Sequence, residues 1–160
     1  MTRGAEAALH AFVEGRRTAL FRSAYLLYGN RDEAEDLVRT TLVKVVLGAR
    51  RYGRLENLDA YARWTLVNTF ISARRRFWRR EQAYGDVPDV PGQLVDSDTG
   101  LMVRAALAGL TPRQRAVLVL RYWEDLSVAA TAELLGMRES TVEESRTVAG
   151  KVVIVPDLHR

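Results

Sequence analysis

The residues best suited to chemistry lie in the stretch YARWTLVNTFISARRRFWRR, residues 61–80, where arginines are interleaved with aromatic rings. It contains six arginines and no acidic residue. Guanidinium groups neutralise phosphates and aromatic faces stack on unpaired bases, so the composition is typical of segments that hold single-stranded nucleic acid. The same pattern also fits a solvated basic face with Trp64 and Phe70 in the core. The consecutive arginines 74–76 spread around a helix, so at least one must point away from the core.

A second candidate for nucleic-acid contact lies near the C-terminus. Ser127 can cap the helix VAATAELLG, Gly136 can close it, and a further helix begins near Glu139 or Ser140. A helix, a short turn with glycine and a second helix have the spacing of a helix-turn-helix. Alanine-rich hairpins of this kind also occur as simple packing units, and glutamate repels phosphate, so spacing alone leaves DNA contact open.

Composition excludes several classes of protein. The chain has 160 residues, 48% of them apolar, which predicts one ordinary domain or two small ones. It has no cysteine, and His10 and His159 lie at opposite ends, so we expect no disulfide, metal or cofactor. There is no nucleophile with a base and no phosphate-cradling glycine loop, which argues against an enzyme. No apolar run approaches the roughly 18 residues of a membrane span, so we expect a soluble, cytoplasmic protein.

The first half of the chain predicts three helices. Apolar residues recur at helical spacing over Leu9–Leu27, and Tyr28–Asn30 reads as a C-cap and turn. A second helix should start near Arg31, where acidic residues favour the positive end of the helix dipole, and should weaken and stop across Gly48–Gly53. The third should run from about Leu58 to Arg80.

The second half also predicts helices, after an acidic linker. GDVPDVPGQLVDSDTG, residues 85–100, has four aspartates, two prolines and no basic residue. The segment LMVRAALAGL follows, and then Thr111-Pro112 forms an N-cap with proline at the first helical position of RQRAVLVLRYWEDL. Neither half shows the alternation that strands require. The expected fold class is therefore all-α, with two small helical domains joined by the linker.

Four stretches of the sequence resemble one bacterial family. They are DEAEDLV at 32–38, YARWTLVNTFISARRR at 61–76, LTPRQRAVLVLRYWEDLS at 110–127 and TAELLG at 131–136. All four resemble RNA polymerase sigma factors of the extracytoplasmic function class (group IV), most closely the short SigE-like branch. The resemblance covers nearly the whole chain to about residue 142.

The resemblance implies a transcription initiation factor and an organisation for it. Sigma region 2 would occupy residues 5–82, an acidic linker 83–99, sigma region 4 residues 100–150, and a tail 151–160. Such a protein binds core RNA polymerase, directs it to specific promoters and opens the minus-10 element, and it catalyses no reaction. The implied partners are the β′ clamp and β flap of polymerase, promoter DNA, and an anti-sigma factor.

The resemblance also implies three sets of contact residues. The set expected to dock on polymerase comprises Asp32, Glu35, Asp36, Leu37 and Arg39. The set expected to bind minus-10 DNA comprises Arg63, Trp64, Asn68, Arg74, Arg75, Arg76, Phe77, Trp78, Arg79 and Arg80. The set expected to bind minus-35 DNA comprises Arg138, Ser140, Thr141, Ser145 and Arg146.

The sequence departs from the family in the expected recognition helix. Glu143 and Glu144 stand where lysine and serine are usual, and Gly150 stands at a leucine position. One inserted residue would instead align Ser145 and Arg146 with the usual polar pair. Two alternatives therefore stay open beside a working sigma factor: a sigma-like module that holds polymerase or a sigma or anti-sigma partner without initiating, and a helix-turn-helix regulator of duplex DNA.

Overall fold

The structure of the protein is a computed structural model that describes residues 2–52, 56–84 and 109–152. The chain divides into two compact units, Met1–Ala73 and Arg74–Arg160. Regular secondary structure within the described residues is helical throughout, which confirms the all-α prediction. Three predicted segments lie outside the described residues. They are most of the linker, the first eight residues of LMVRAALAGL (101–108), and the tail beyond Val152. None of the described helices is long and apolar enough to cross a bilayer.

The turn between the first two helices forms where their capping residues predict. Helix α1 spans Arg3–Tyr28, α2 spans Arg31–Tyr52 and α3 spans Leu58–Tyr84. Gly29 has a left-handed backbone with a φ of 70° and ends α1, because glycine adopts this conformation without steric cost. Asn30 then caps α2, accepting at Oδ1 a hydrogen bond of 3.1 Å from the Glu33 amide. The helix α2 continues through Gly48, where the sequence predicted a weakening, and α3 extends four residues past the predicted Arg80.

The core of the first unit is built from one apolar side of each helix. Phe70 of α3 is almost completely buried and meets the ring of Tyr28 edge to face, with ring centroids 4.9 Å apart. The remaining buried apolar side chains are Leu9, Leu20, Ala24, Leu27, Ala34, Leu37, Val38, Leu42, Val45, Ala49, Ala62, Leu66 and Val67. An ion pair of 2.6 Å between Arg16 and Asp59 also links α1 to α3 at the surface.

The second unit begins with a capped helix that ends in a wide turn. Helix α4 spans Pro112–Leu118, and the Thr111 side chain and Gln114 cap it reciprocally in a capping box. The sequence predicted one α-helix through Leu126, but Val119–Trp123 forms a π-turn instead. The turn is held by the Arg121 guanidinium, which donates to the Leu126 carbonyl. Asp125, whose φ of 55° is left-handed, then reverses the chain.

The predicted helix-turn-helix follows. Helix α5 spans Val128–Leu135 and α6 spans Glu139–Val152. Ser127 caps α5 by accepting at Oγ a hydrogen bond of 3.0 Å from the Ala130 amide. Gly136 closes α5 with a φ of 64°. Val142 of α6 is fully buried, so one side of α6 packs into the unit and the opposite side faces outward.

Candidate nucleic-acid interface

An open groove of about 450 Å³ lies between α2 and α3 in the first unit. Helix α2 contributes its last three turns to one wall, and α3 contributes its first half to the other. The lining residues are Lys44, Leu47, Gly48, Arg51, Tyr52, Tyr61, Trp64, Thr65, Asn68, Thr69 and Ser72. None of these residues is acidic, and two carry a positive charge, so the groove attracts anions.

Large apolar side chains border this groove while remaining open to solvent. Leu47 is 59% exposed, Tyr52 66% and Trp64 48%. They are three of the five large apolar residues exposed in the described parts of the chain, the others being Val43 and Trp123. Apolar side chains gathered around a groove are a feature of binding sites, because a ligand removes them from water. The flat, partly apolar face of a nucleobase has the shape and chemistry to do so.

The α3 wall presents a pair of rings on a fixed backbone. The rings of Tyr61 and Trp64 lie with centroids 6.2 Å apart and planes only 19° apart. The Thr65 hydroxyl donates a hydrogen bond of 2.7 Å to the Tyr61 carbonyl. The Asn68 amide donates one of 2.9 Å to the Trp64 carbonyl. These bonds orient Asn68 beside the tryptophan, so a stacking surface and an amide lie together at the groove.

The α2 wall supplies the positive charge. The Lys44 ammonium donates a hydrogen bond of 3.0 Å to the Thr69 hydroxyl across the groove. The Arg51 guanidinium lies over the Tyr52 ring at 5.6 Å from its centroid, a cation–π contact. Both side chains belong to exposed residues, so a phosphate can reach them from solvent. The two cations lie seven residues apart, about two helical turns, and therefore on one side of α2.

The groove contains two of the ten predicted minus-10 residues, Trp64 and Asn68. The others also belong to α3 but lie outside the groove lining. Arg74 is half-buried and lies over the Phe77 ring at 5.2 Å, whereas the neighbouring Arg75 and Arg76 are exposed. Arg79 is also exposed and Arg63 is half-buried, while the side chains of Trp78 and Arg80 lie outside the described ones.

Sequence reasoning missed the whole α2 wall of the groove. Lys44, Leu47, Gly48 and Arg51 recur at intervals of three, four and seven, which places them along one strip of a helix. The strip carries two cations and a leucine, a mixture unsuited to a core-facing side. This signal was present in the sequence, but only the packing of α3 against α2 shows which residues complete it.

Four of the five predicted polymerase-docking residues are exposed on α2. Asp36 pairs with Arg39 at 3.2 Å, and Glu35 pairs with Arg31 at 3.3 Å, both at the surface. Such exposed pairs contribute little to stability, so their charges can re-pair with a partner. Leu37 corrects the prediction: it is only 4% exposed and packs in the core, so its side chain offers no contact surface.

The structure also shows which residues of α6 face outward. Ser140 and Glu144 each lie two residues from the buried Val142, about 200° around the helix, and both are exposed. Ser145 and Arg146 are half-buried near the Val142 side, and Arg146 pairs with Glu143 at 2.8 Å. Arg138 and Thr141 are exposed. The outward side of α6 therefore carries a glutamate rather than the Ser145–Arg146 pair that an inserted residue would align there.

Comparison with known proteins identifies a family region in each unit. Residues 12–80 match the family model of sigma-70 region 2, and residues 100–145 match that of sigma-70 region 4. The RNA polymerase sigma-E factor of Streptomyces avermitilis is 34% identical over 158 residues, which cover 91% of this chain and 82% of that protein. This chain belongs to the RNA polymerase sigma factors. The groove lies in region 2 and the helix-turn-helix in region 4.

Two further relatives refine the assignment. The ECF RNA polymerase sigma factor SigL of Mycobacterium tuberculosis is 30% identical over 147 residues, covering 87% of this chain and 83% of SigL. The solved sigma factor RpoE of Bartonella quintana, in complex with the anti-sigma factor NepR, matches with a TM-score of 0.66 at 26% identity. That match covers 88% of this chain and 92% of the solved one. The predicted membership of the extracytoplasmic function class is confirmed.

Membership of this family identifies the activity and the principal partners. The protein is a transcription initiation factor whose partners are core RNA polymerase and promoter DNA. Sigma factors are regulatory, DNA-recognising proteins and not enzymes. The basic, aromatic stretch that the sequence singled out therefore lies in region 2 of a protein that binds promoter DNA.

Proposed function

We propose that this sigma factor opens promoters by taking an unpaired base of the minus-10 element into the groove between α2 and α3. The observation that carries the proposal is the half-exposed Trp64 ring, aligned with Tyr61 on a groove with no acidic lining residue. A base that leaves the DNA stack costs a few kcal/mol, which a stacking surface must offset. Stacking of a base on an aromatic side chain contributes about 1–3 kcal/mol.

The cations on α2 complete this site. Lys44 and Arg51 would neutralise phosphates on either side of the captured base, since both border the groove. The exposed Arg75, Arg76 and Arg79 would hold the strand farther along α3. Asn68, oriented by the Trp64 carbonyl, would hydrogen-bond the edge of the base. Stacking would thus supply much of the affinity, and a hydrogen bond from the Asn68 side-chain amide would help to distinguish the base.

Polymerase docking would use the exposed charges at the start of α2. Asp32, Glu35, Asp36 and Arg39 would meet the β′ clamp, and Leu37 would support them from the core. Region 4 would meet the β flap and the minus-35 element. The domain limits 5–82, 83–99 and 100–150 are part of the same proposal.

The outward Glu144 leads us to propose that region 4 contributes less to promoter affinity than region 2 does. An acid on a DNA-facing helix adds repulsion and releases no counterion. Promoter choice would then depend mainly on the minus-10 element. We further propose that the protein catalyses no reaction and acts in the cytoplasm, where polymerase and promoters are. Control by an anti-sigma factor would follow the example of the solved RpoE–NepR complex.

The test is the binding of single-stranded minus-10 DNA by core RNA polymerase reconstituted with this protein. Trp64→Ala should weaken holoenzyme binding to a single-stranded minus-10 oligonucleotide roughly 5- to 150-fold, the equivalent of a lost stacking contact. Trp123→Ala, which removes an exposed tryptophan of the second unit, is the matched control and should leave that binding unchanged. Equal binding by Trp64→Ala and the unsubstituted protein would exclude the groove as the base site.

A further inference from the structure

We infer that Gly48 of α2 is a positioning residue for promoter opening, because its missing side chain lets Tyr61 seat against α2 and so sets the Trp64 ring in the groove. The inference rests on the proposed base-capturing function of that groove. Nothing in the sequence singled out Gly48 for such a role, since it was expected only to weaken α2.

The close approach of Tyr61 to Gly48 is the primary observation. A Cβ atom added to Gly48 would lie 2.5 Å from the Tyr61 hydroxyl oxygen, 3.0 Å from Cζ and 3.1 Å from Cε1. Real Cβ atoms essentially never approach another atom as closely as 2.5 Å, and at 3.0–3.1 Å the Tyr61 ring would have to move by a few tenths of an ångström. The phenol end of Tyr61 thus occupies the space that any side chain at position 48 would need. Gly48 itself is buried under this ring.

Backbone conformation does not explain a glycine here. The described glycines with positive φ are Gly29 and Gly136, and Gly48 lies within α2. A glycine inside a helix is less stable than alanine, because it loses more conformational freedom on folding. Gly15, inside α1, has no neighbouring atom within 4 Å of an added Cβ. Gly48 therefore differs from Gly15 in having a steric reason, and that reason is Tyr61.

The position of Tyr61 is transmitted to Trp64. The two residues are three apart on α3, and their nearly parallel rings lie 6.2 Å apart between centroids. Ala62, Leu66 and Val67 of α3 are each only 1% exposed, so core packing holds the helix backbone in place. A Cβ at position 48 would consequently displace the Tyr61 ring rather than the helix, and the displaced ring would move against Trp64. The stacking surface offered to a base would change, while the charges on α2 would not.

The experiment compares Gly48→Ala with Gly15→Ala in the reconstituted holoenzyme. Both substitutions place a methyl group inside a helix, but only the one at 48 meets another residue. Binding of a single-stranded minus-10 oligonucleotide should fall about 3- to 10-fold for Gly48→Ala, part of the effect of losing the stack. Gly15→Ala should show no loss. An oligonucleotide lacking the captured base should bind both variants equally.

A double variant provides the decisive readout. Tyr61→Phe removes the hydroxyl oxygen, the atom nearest the added Cβ, and leaves the contacts at 3.0 and 3.1 Å. Gly48→Ala with Tyr61→Phe should therefore regain most of the lost binding, measured against Tyr61→Phe alone as its reference. Recovery would show that the loss arises from contact with the Tyr61 hydroxyl, and the oligonucleotide that lacks the captured base separates an effect on the stack from an effect on the fold. If Gly48→Ala does not fold, Tyr61→Ala replaces it and should lower binding through the loss of support for Trp64.

The results separate the role of Gly48 from the base-capturing function of the groove. Impaired Trp64→Ala with unimpaired Gly48→Ala would overturn the role of Gly48 and leave the groove intact. A neutral Trp64→Ala would overturn the groove, and the role of Gly48 with it. Equal losses with and without the captured base would show that Gly48 acts on the fold and not on the stack. No recovery in the double variant would show that the Tyr61 hydroxyl contact is not the cause, and would also overturn the inference. Should Tyr61→Ala be needed, unchanged binding by that variant would also overturn the inference.

Discussion

Replacing Glu144 with lysine should convert the outward side of α6 from repelling DNA to attracting it. Glu144 is exposed and lies about 200° around the helix from the buried Val142. No part of the core has to adjust to the longer side chain, so the fold should be unaffected. The substitution changes the charge of this surface by two units and places an ammonium group where the carboxylate now stands.

The size of the effect follows from counterion release. Each phosphate neutralised by a new cation steepens the dependence of log affinity on log salt by about 0.9 for duplex DNA. One new contact therefore adds roughly 3- to 4-fold to the affinity change between 200 and 50 mM salt. Removing the repulsion of the glutamate adds to the gain at low salt.

The assay is fluorescence anisotropy of the full chain on a duplex carrying the minus-35 region, at 50 and 200 mM salt. Glu14→Lys is the matched control, because Glu14 is an exposed acid of α1 in the first unit and its replacement changes net charge equally. It should leave the salt slope nearly unchanged.

The same salt slope for Glu144→Lys and Glu14→Lys would contradict a position of Glu144 facing the duplex. Glu144 would then face away from DNA, and region 4 would be placed on the promoter by another surface. A steeper slope with Glu144→Lys alone would mean that α6 already lies along the duplex and that its acids limit the affinity.

Three further substitutions test the docking surface, the core of the first unit and the N-cap of α5. Asp36→Arg should weaken binding to core polymerase roughly 10-fold, because it reverses a charge at the proposed docking surface. A titration against core polymerase measures this, with Glu14→Arg as the control. Unchanged affinity would remove α2 from the docking interface. Phe70→Ala should lower the free energy of unfolding by about 3–5 kcal/mol, because it empties the space beside Tyr28. A denaturant titration measures this loss. A loss below about 1 kcal/mol, roughly that of an average substitution, would contradict the packing. Ser127→Ala should cost about 1 kcal/mol by leaving the Ala130 amide without its cap, and a melting curve identical to that of the unsubstituted chain would argue against that cap.

Local features of the fold were predictable because neighbouring residues specify them. The left-handed Gly29 and Gly136, the Thr111 cap and the Ser127 cap are each determined by residues within four positions, and the structure has all of them. Family membership was predictable for a related reason, since the quoted motifs are contiguous in the chain. The π-turn after Leu118 was not predicted, because the apolar spacing of this segment does not distinguish an α-helix from the wider turn, in which the Glu124 amide donates to the Val119 carbonyl.

An all-helical fold, membership of the sigma factors and an arginine-rich, aromatic stretch in region 2 could all be inferred from the sequence. The burial of Leu37, the outward position of Glu144, and the groove that Trp64 shares with Lys44 and Arg51 could be seen only in the packed structure. The physical reason is that helix propensity and capping act over a few residues. A groove requires side chains from two helices, and which sides of those helices meet is set by packing.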